Sequence, residues 1–372
     1  MKLLYVACRW DPTIQDEYSG SDFGAYHMIK RDEAFDVSLV GPFEDKPNFT
    51  ERVYTKIYNT FSSKRWIKYF PSTIRKSGKV VNAAIKEFNP DIIFSKYSAP
   101  MVNVKINRPF VYMCDSTIQW TKKYWAEFSR LGFQIMEKWE EKSIKECDRI
   151  ITFSHANAQI IQEHYHKDPD KIRVMPIPAY IPGDLIPNKD TLHKKIGEKL
   201  NILLIGKRFN LRGVDIAIEV IGKLNQRGIP AKLTIAGMAG EDTDHVHYKG
   251  VFNKEKPEEL HAYYDLFKAA DLLLHPSRFH AAGIVISEAA AFGVPAITND
   301  TGGLATSVLD GQTGIVLPEG SPADSYCDAI ACLVEDMPRY ESLSIAARER
   351  FDNELNWDKA GARLVNIIRE VV

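Results

Sequence analysis

Residues 201–215 read Asn201-Ile202-Leu203-Leu204-Ile205-Gly206-Lys207-Arg208-Phe209-Asn210-Leu211-Arg212-Gly213-Val214-Asp215. A short apolar run ends in a glycine, crosses a basic turn and meets a second glycine where a helical pattern starts. That is the strand-turn-helix unit of a parallel sheet. Strands covered on both faces by helices read as unbroken apolar runs. The same alternation extends in both directions. Before the turn it predicts strands at 2–7, 36–40, 91–94, 110–113 and 149–153. From the turn onward it predicts them at 201–205, 231–236, 272–275, 296–298 and 313–317. Helical patterns fall at 80–88, 133–147, 214–226, 257–269 and 285–292. Between the halves, Pro176, Pro178, Pro182 and Pro187 crowd one span. Proline lacks an N–H donor and blocks helix, so this span reads as a linker. The fold class expected is α/β: two doubly wound, Rossmann-like parallel-sheet domains facing each other across a cleft. The boundaries expected are 1–179 and 180–355, with a C-terminal helix at about 356–372 packing back on the first domain.

A chain of 372 residues with 45% hydrophobic content supports two cores. Lys+Arg is 48 and Asp+Glu is 49, so the net charge of -1 excludes a globally basic nucleic-acid binder. Five cysteines without a C-x-x-C pair give no zinc or redox signature and fit a reducing compartment. The opening MKLLYVACRW has too short an apolar run for a signal peptide, and no stretch approaches a membrane span. A cytoplasmic protein is expected.

Two segments carry chemistry. In the turn 206–213, helix-start N–H groups and the Lys207 and Arg212 cations favour an anion such as phosphate. The competing reading is a solvated basic loop. The second segment is Arg278-Phe279-His280-Ala281-Ala282-Gly283-Ile284-Val285-Ile286-Ser287-Glu288, running on to Gly293-Val294-Pro295. Gly283 lets backbone approach a ligand, and Glu288 lies one turn inside the following helix. Its carboxylate suits the vicinal hydroxyls of a ribose; otherwise it is an ordinary helix acid complementing the dipole.

Together these segments resemble the retaining glycosyltransferases of family four, which have the GT-B fold. Gly206, Lys207, Arg212 and Gly213 stand for the family's G-R-x5-K-G-like turn, with the two cations exchanged. Glu288 matches the second Glu of its E-x7-E motif, and Gly293-Val294-Pro295-Ala296-Ile297 its G-x-P-V-I tail. Asp300-Thr301-Gly302-Gly303 and Asp310-Gly311-Gln312-Thr313-Gly314 resemble its D-x-G-G and D-G-x-x-G loops. The departure is His280, which replaces the first Glu. The resemblance implies a metal-independent, front-face transfer of a sugar, with no cofactor, from a nucleotide-diphosphate sugar to a hydroxyl of a glycan or lipid-linked acceptor. The donor expected is a UDP-sugar, with a GDP-sugar as the alternative. Lys207 and Arg212 would neutralise the leaving diphosphate, Glu288 would hold the ribose, and backbone at Gly283, Ile284 and Val285 would hold phosphate or sugar. Val251 and Phe252 would lie by the base. His280 either bonds a sugar hydroxyl or lines the cleft. The alternative function is a non-catalytic nucleotide-sugar sensor of the same fold.

In the first half the resemblance is weaker. Trp10 and the stretch Tyr18-Ser19-Gly20-Ser21-Asp22 follow the first strand, where Gly20 and Ser21 either face phosphate or acceptor or belong to a plain surface loop. Cys114-Asp115 ends a strand, where doubly wound folds place functional groups. Asp115 is either an acceptor-orienting carboxylate or a helix N-cap, and Ser154-His155 either lines the cleft or caps a helix. Asp242-Thr243-Asp244 reads as a polar loop, and Asn48-Phe49-Thr50 fits a glycosylation sequon that the expected lack of a secretion signal leaves unused. Residues 51–110 hold twelve Lys/Arg and three acids, a net of +9, interleaved with Tyr54, Tyr58, Phe61, Trp66, Tyr69 and Phe70. Such a stretch suits peripheral contact with an anionic membrane or a lipid-phosphate acceptor; otherwise it is a solvated face.

Overall fold

The computed structural model describes residues 1–15, 20–124, 128–192 and 194–372. Tyr18 and Ser19 of the expected substrate loop lie outside them. The chain divides into two compact units. One comprises 1–175 with 361–372, and the other 176–360. The divide falls just before Pro176, four residues ahead of the expected 179.

The first unit holds six parallel strands: β1 (Lys2–Val6), β2 (Asp36–Val40), β3 (Ile92–Ser95), β4 (Phe110–Cys114), β5 (Arg149–Thr152) and β6 (Ile172–Val174), in spatial order β2-β1-β3-β4-β5-β6. The second holds β7 (Leu200–Ile205), β8 (Ala231–Ala236), β9 (Val246–Tyr248), β10 (Leu272–His275), β11 (Ala296–Asn299) and β12 (Gly314–Leu317), in order β12-β11-β10-β7-β8-β9. All ten expected strands are present. The two additions, β6 and β9, are three-residue edge strands. Each is too short to show periodicity.

Both strand orders reverse direction beside the first strand of the unit. The switch points lie between β1 and β3 and between β7 and β10, where doubly wound sheets leave a crevice beyond the carboxyl ends. In the second unit the sheet is packed on both faces. Leu203, Ala236, Leu273 and Ala296 meet the helices Pro257–Ala269 and Ile284–Ala291. Ile202, Leu204, Leu233 and Leu272 meet Val214–Gln226 and Ala323–Glu335. The C-terminal helix Trp357–Arg369 ends against the first unit: Arg369 pairs with Asp32 at 2.8 Å, and Glu370 accepts from Arg149 and Arg173.

The sequon segment opens a helix that the apolar patterns do not mark. Asn48 is the N-cap of a helix, Phe49–Phe61, in a reciprocal capping box with Glu51. The Asn48 side chain accepts from Glu51 N at 2.9 Å and Glu51 accepts from Asn48 N at 2.9 Å. Among the described residues, no helix is long and apolar enough to cross a membrane.

Candidate active site

At the switch point of the second unit, the turns after β7 and β10 interlock. Gly213 caps the helix Val214–Gln226 with φ 64°, and a Cβ there would lie 1.9 Å from the Pro276 carbonyl oxygen. Only glycine permits both the left-handed backbone and that approach. Gly206 does the same for a side chain: an added Cβ would meet Arg212 Cγ at 2.4 Å. Arg212 is thereby held against the turn, and its Nη1 donates to the Phe279 carbonyl at 2.6 Å. Burial and the nearby Arg208 cation push its pKa down to about 10, so it stays charged. Lys207 is exposed and makes no ion pair among the described residues. Arg278 acts as a latch, donating to both Asp215 oxygens and to the Asn210 carbonyl, which ties the two turns together.

Gly283 is the N-cap of the helix Ile284–Ala291, with no side-chain capping bond, which leaves its first N–H groups uncapped beside Ile284 and Val285. The loop before it is fastened to the D-x-G-G turn, whose Gly303 N–H donates to the His280 carbonyl at 2.9 Å.

Glu288 is 4% exposed. Its Oε1 accepts from Lys254 Nζ at 2.8 Å and its Oε2 from Tyr263 OH at 2.7 Å. Lys254 Nζ also sits 3.8 Å from the centre of the Tyr263 ring. Glu288 is therefore the centre of an ion pair, not a lone dipole-complementing acid. Each oxygen retains a second acceptor site for a hydroxyl donor. Neither Lys254 nor Tyr263 stands out in the sequence; the i−34 spacing of Lys254 carries no periodic signal. Phe252 packs edge-on to Tyr263 at 5.8 Å, while Val251 is 63% exposed.

His280 is half-buried and pairs with His275: Nε2 of His275 and Nδ1 of His280 are 2.8 Å apart, so one ring donates and the other accepts. Ser277 Oγ lies 3.1 Å from the same His275 nitrogen, and His275 Nδ1 is buried with no hydrogen-bond partner among the described residues. Burial, then the Arg212 guanidinium, pushes the His275 pKa down to about 3 and holds His280 well below the usual imidazole range. The position where the resemblance leads one to expect a carboxylate carries a neutral ring here. A stability consequence follows. The unfolded chain protonates His275 below about pH 6.5 while the folded chain does not, so folded-state stability falls as pH drops from 6.5 toward 3. Between pH 6.5 and 5 this amounts to about 2 kcal/mol. Urea titrations at the two pH values are expected to show that loss in the native protein and a smaller one in His275→Gln. Equal pH slopes would remove the neutral pair from the account.

The D-x-D reading as a loop stands. Asp242 accepts from Tyr248 N at 2.8 Å and lies 3.5 Å from His247 Nδ1, a local turn on the β9 edge.

In the first unit, Gly20 caps the helix Ser21–Arg31 in the left-handed conformation. Ser21 and Asp22 are buried and gather Lys96 from the end of β3: Lys96 Nζ lies 3.1 Å from Asp22 Oδ1 and donates to Ser21 Oγ. Tyr97 OH donates to Asp22 Oδ2 at 2.8 Å. Ser21 is thus part of a buried charged network rather than a plain surface loop, and Lys96 and Tyr97 escaped the sequence reading. Asp115 is half-buried at the end of β4. The N-cap role falls to Thr117 instead, whose Oγ1 accepts from Trp120 N at 3.3 Å. Glu140 fastens this turn, accepting from Ile118 N at 2.6 Å and Tyr165 OH at 2.8 Å; burial pushes its pKa up to about 7. Ser154 takes its bland reading, since it is buried and caps the helix His155–Glu163 through Asn157 N.

Two successive doubly wound units, the second with a basic turn and a clamped acidic helix at its switch point, form the GT-B architecture. Residues 27–178 match the family described as Glycosyltransferase Family 4, and residues 188–350 match Glycosyl transferases group 1. The chain belongs to the family-four glycosyltransferases of GT-B fold. Sucrose-phosphate synthase from Thermosynechococcus elongatus superposes with a TM-score of 0.70 at 16% identity, covering 99% of this chain and 98% of that one. HepE of Anabaena, solved with UDP-glucose, gives 0.63 at 14% identity over 100% of both chains. A D-inositol 3-phosphate glycosyltransferase of Stackebrandtia nassauensis is 27% identical over 232 residues, 56% of this chain. That match spans 51% of the relative, about half its length.

Proposed function

We propose that this protein moves a sugar from a UDP-sugar to a hydroxyl of a glycan or lipid-linked acceptor, with retention at the anomeric carbon and without a divalent metal. The observation that carries the reading is the turn after β7. It holds one cation rigidly against backbone and leaves a second, Lys207, facing solvent at a switch point. As the bond from the anomeric carbon to the diphosphate breaks, negative charge gathers on the leaving oxygen. Arg212 and Lys207 stabilise it where a metal does so in other transferases. The bond to the acceptor oxygen forms on the same face, and the acceptor proton passes to the departing phosphate. Glu288 accepts from the ribose hydroxyls, and the uncapped N–H groups after Gly283 take phosphate or sugar. His280, as a neutral ring, bonds a sugar hydroxyl. Asp115 orients the acceptor hydroxyl, and the Gly20–Ser21 helix start takes acceptor or phosphate. A UDP base is preferred over GDP because the neighbour HepE was solved with UDP-glucose.

One observation favours a second reading, a nucleotide-sugar sensor: the neutral His280 replaces a carboxylate. Turnover decides between them. Incubation with UDP-glucose and a set of acceptors is expected to release UDP; tight UDP binding with no release under any pairing would leave the sensor. Transfer is also expected to proceed unchanged in excess EDTA. Loss of activity in EDTA with recovery on adding Mg²⁺ or Mn²⁺ would refute the charge roles of Lys207 and Arg212.

A further inference from the structure

The helix Phe49–Phe61 turns its acid, and not its apolar residues, toward the protein: Glu51 is buried and accepts from Ser72 N at 2.8 Å, Thr55 and Tyr58 are half-buried, and Thr50, Arg52, Lys56, Asn59 and Thr60 are exposed. Its apolar residues face solvent: Phe49 is 72% exposed, Val53 42%, Tyr54 46%, Ile57 57% and Phe61 87%. At the helical advance of 3.6 residues per turn, Phe49, Val53, Ile57 and Phe61 lie along one continuous ridge. A surface helix normally does the opposite, because exposing such side chains forfeits their burial. The aromatic residues that the sequence put beside this charge, Trp66, Tyr69 and Phe70, instead pack inward against Phe133, Ile74 and their neighbours.

The ridge is flanked by cations. Arg52 and Lys56 lie on one side of it and, with Thr55 and Asn59, line an open groove of ≈ 450 Å³. Of the twelve Lys/Arg between 51 and 110, ten are exposed: 52, 56, 64, 65, 75, 76, 79, 86, 105 and 108. Glu51, the one acid of the helix, is turned inward. We propose that this helix docks the protein onto an anionic lipid bilayer, with its apolar ridge in the headgroup–acyl boundary and Arg52 and Lys56 on anionic headgroups. A second copy of the chain is the poorer occupant, since a two-fold contact would bring the same cations of both copies together without acids to meet them. This inference does not rest on the transfer reaction proposed above.

The test uses the full chain and sedimentation with vesicles of phosphatidylcholine, with and without about a third phosphatidylglycerol, at low salt. Strong pelleting is expected only with the anionic vesicles. The double variant Ile57→Ser/Phe61→Ser, which keeps every charge, is expected to lose at least tenfold in partition coefficient. Arg52→Ser/Lys56→Ser, which keeps every apolar group, is expected to lose a comparable factor and the dependence on salt. All four side chains are exposed, so unfolding midpoints are expected to match the native protein, and UDP binding by calorimetry is expected to be unchanged. Equal or absent pelleting on the two vesicle types overturns the proposal. So does native-like partitioning of the Ile57→Ser/Phe61→Ser variant. Concentration-dependent dimers in velocity sedimentation that the same variant abolishes, without vesicle binding, would assign the ridge to a second copy instead.

Discussion

Replacing Arg212 by Ala is expected to weaken UDP binding by about 1.5–3 kcal/mol, the range for hydrogen bonds to charged groups. That is about ten- to a hundredfold or slightly more in the dissociation constant. The guanidinium is positioned before any ligand arrives: Gly206 leaves room for its stem, and its Nη1 donates a hydrogen bond to the Phe279 carbonyl. Little ordering cost remains on binding, and partial burial raises the strength of its field. The substitution also releases the Phe279 carbonyl, so a small fall in unfolding midpoint should accompany the affinity loss. Lys207→Ala separates the two effects. Lys207 is exposed, so its removal should weaken UDP without shifting the midpoint. Calorimetry with UDP measures both. Unchanged affinity in Arg212→Ala would sink the diphosphate assignment.

Glu288→Gln should lower kcat/KM at least tenfold. The amide keeps the shape and an acceptor oxygen but loses the charge that strengthens bonds from ribose hydroxyls, about 1.5–3 kcal/mol for a charged partner. The Lys254 contact adds a second, independent expectation. Lys254→Met leaves a carboxylate that is only 4% exposed with Tyr263 as its remaining partner. Leaving such a charge unpaired is costly, so this variant should be destabilised by about 1.5–3 kcal/mol. The double variant Glu288→Gln/Lys254→Met should then be less destabilised than the sum of the two, because the buried charge is gone. Strict additivity in urea unfolding, or native-like kcat/KM for Glu288→Gln, would show that the pair is not the organising feature of this pocket.

The frame of the molecule was legible from residue order alone. Ile202–Ile205, Leu272–Leu274 and Phe110–Met113 are buried on both faces, so their apolar runs carry no alternation to misread and locate the parallel strands directly. The proline cluster at 176–187 and the glycines at 206 and 213 mark where a strand must end or backbone must pass closely, and those are local constraints. What escaped was set by groups distant in sequence. Lys254 reaches Glu288 across 34 residues and Lys96 reaches Asp22 and Ser21 across about 75, so no window of sequence contains either pair. The neutrality of His275 and His280 depends on burial and on Arg212, a property of packing rather than of residue type. The helix Phe49–Phe61 shows the division most clearly. The sequence patterns marked no helix there, although Asn48 and Glu51 have the spacing of a capping box and positions 49, 53, 57 and 61 that of one helix face. Which face turns inward was decided by tertiary contacts, where the Glu51 carboxylate found Ser72 and Asn48 as donors and left Phe49, Ile57 and Phe61 outside. Periodicity fixes that a helix has two faces; only the neighbours that satisfy its polar groups choose between them.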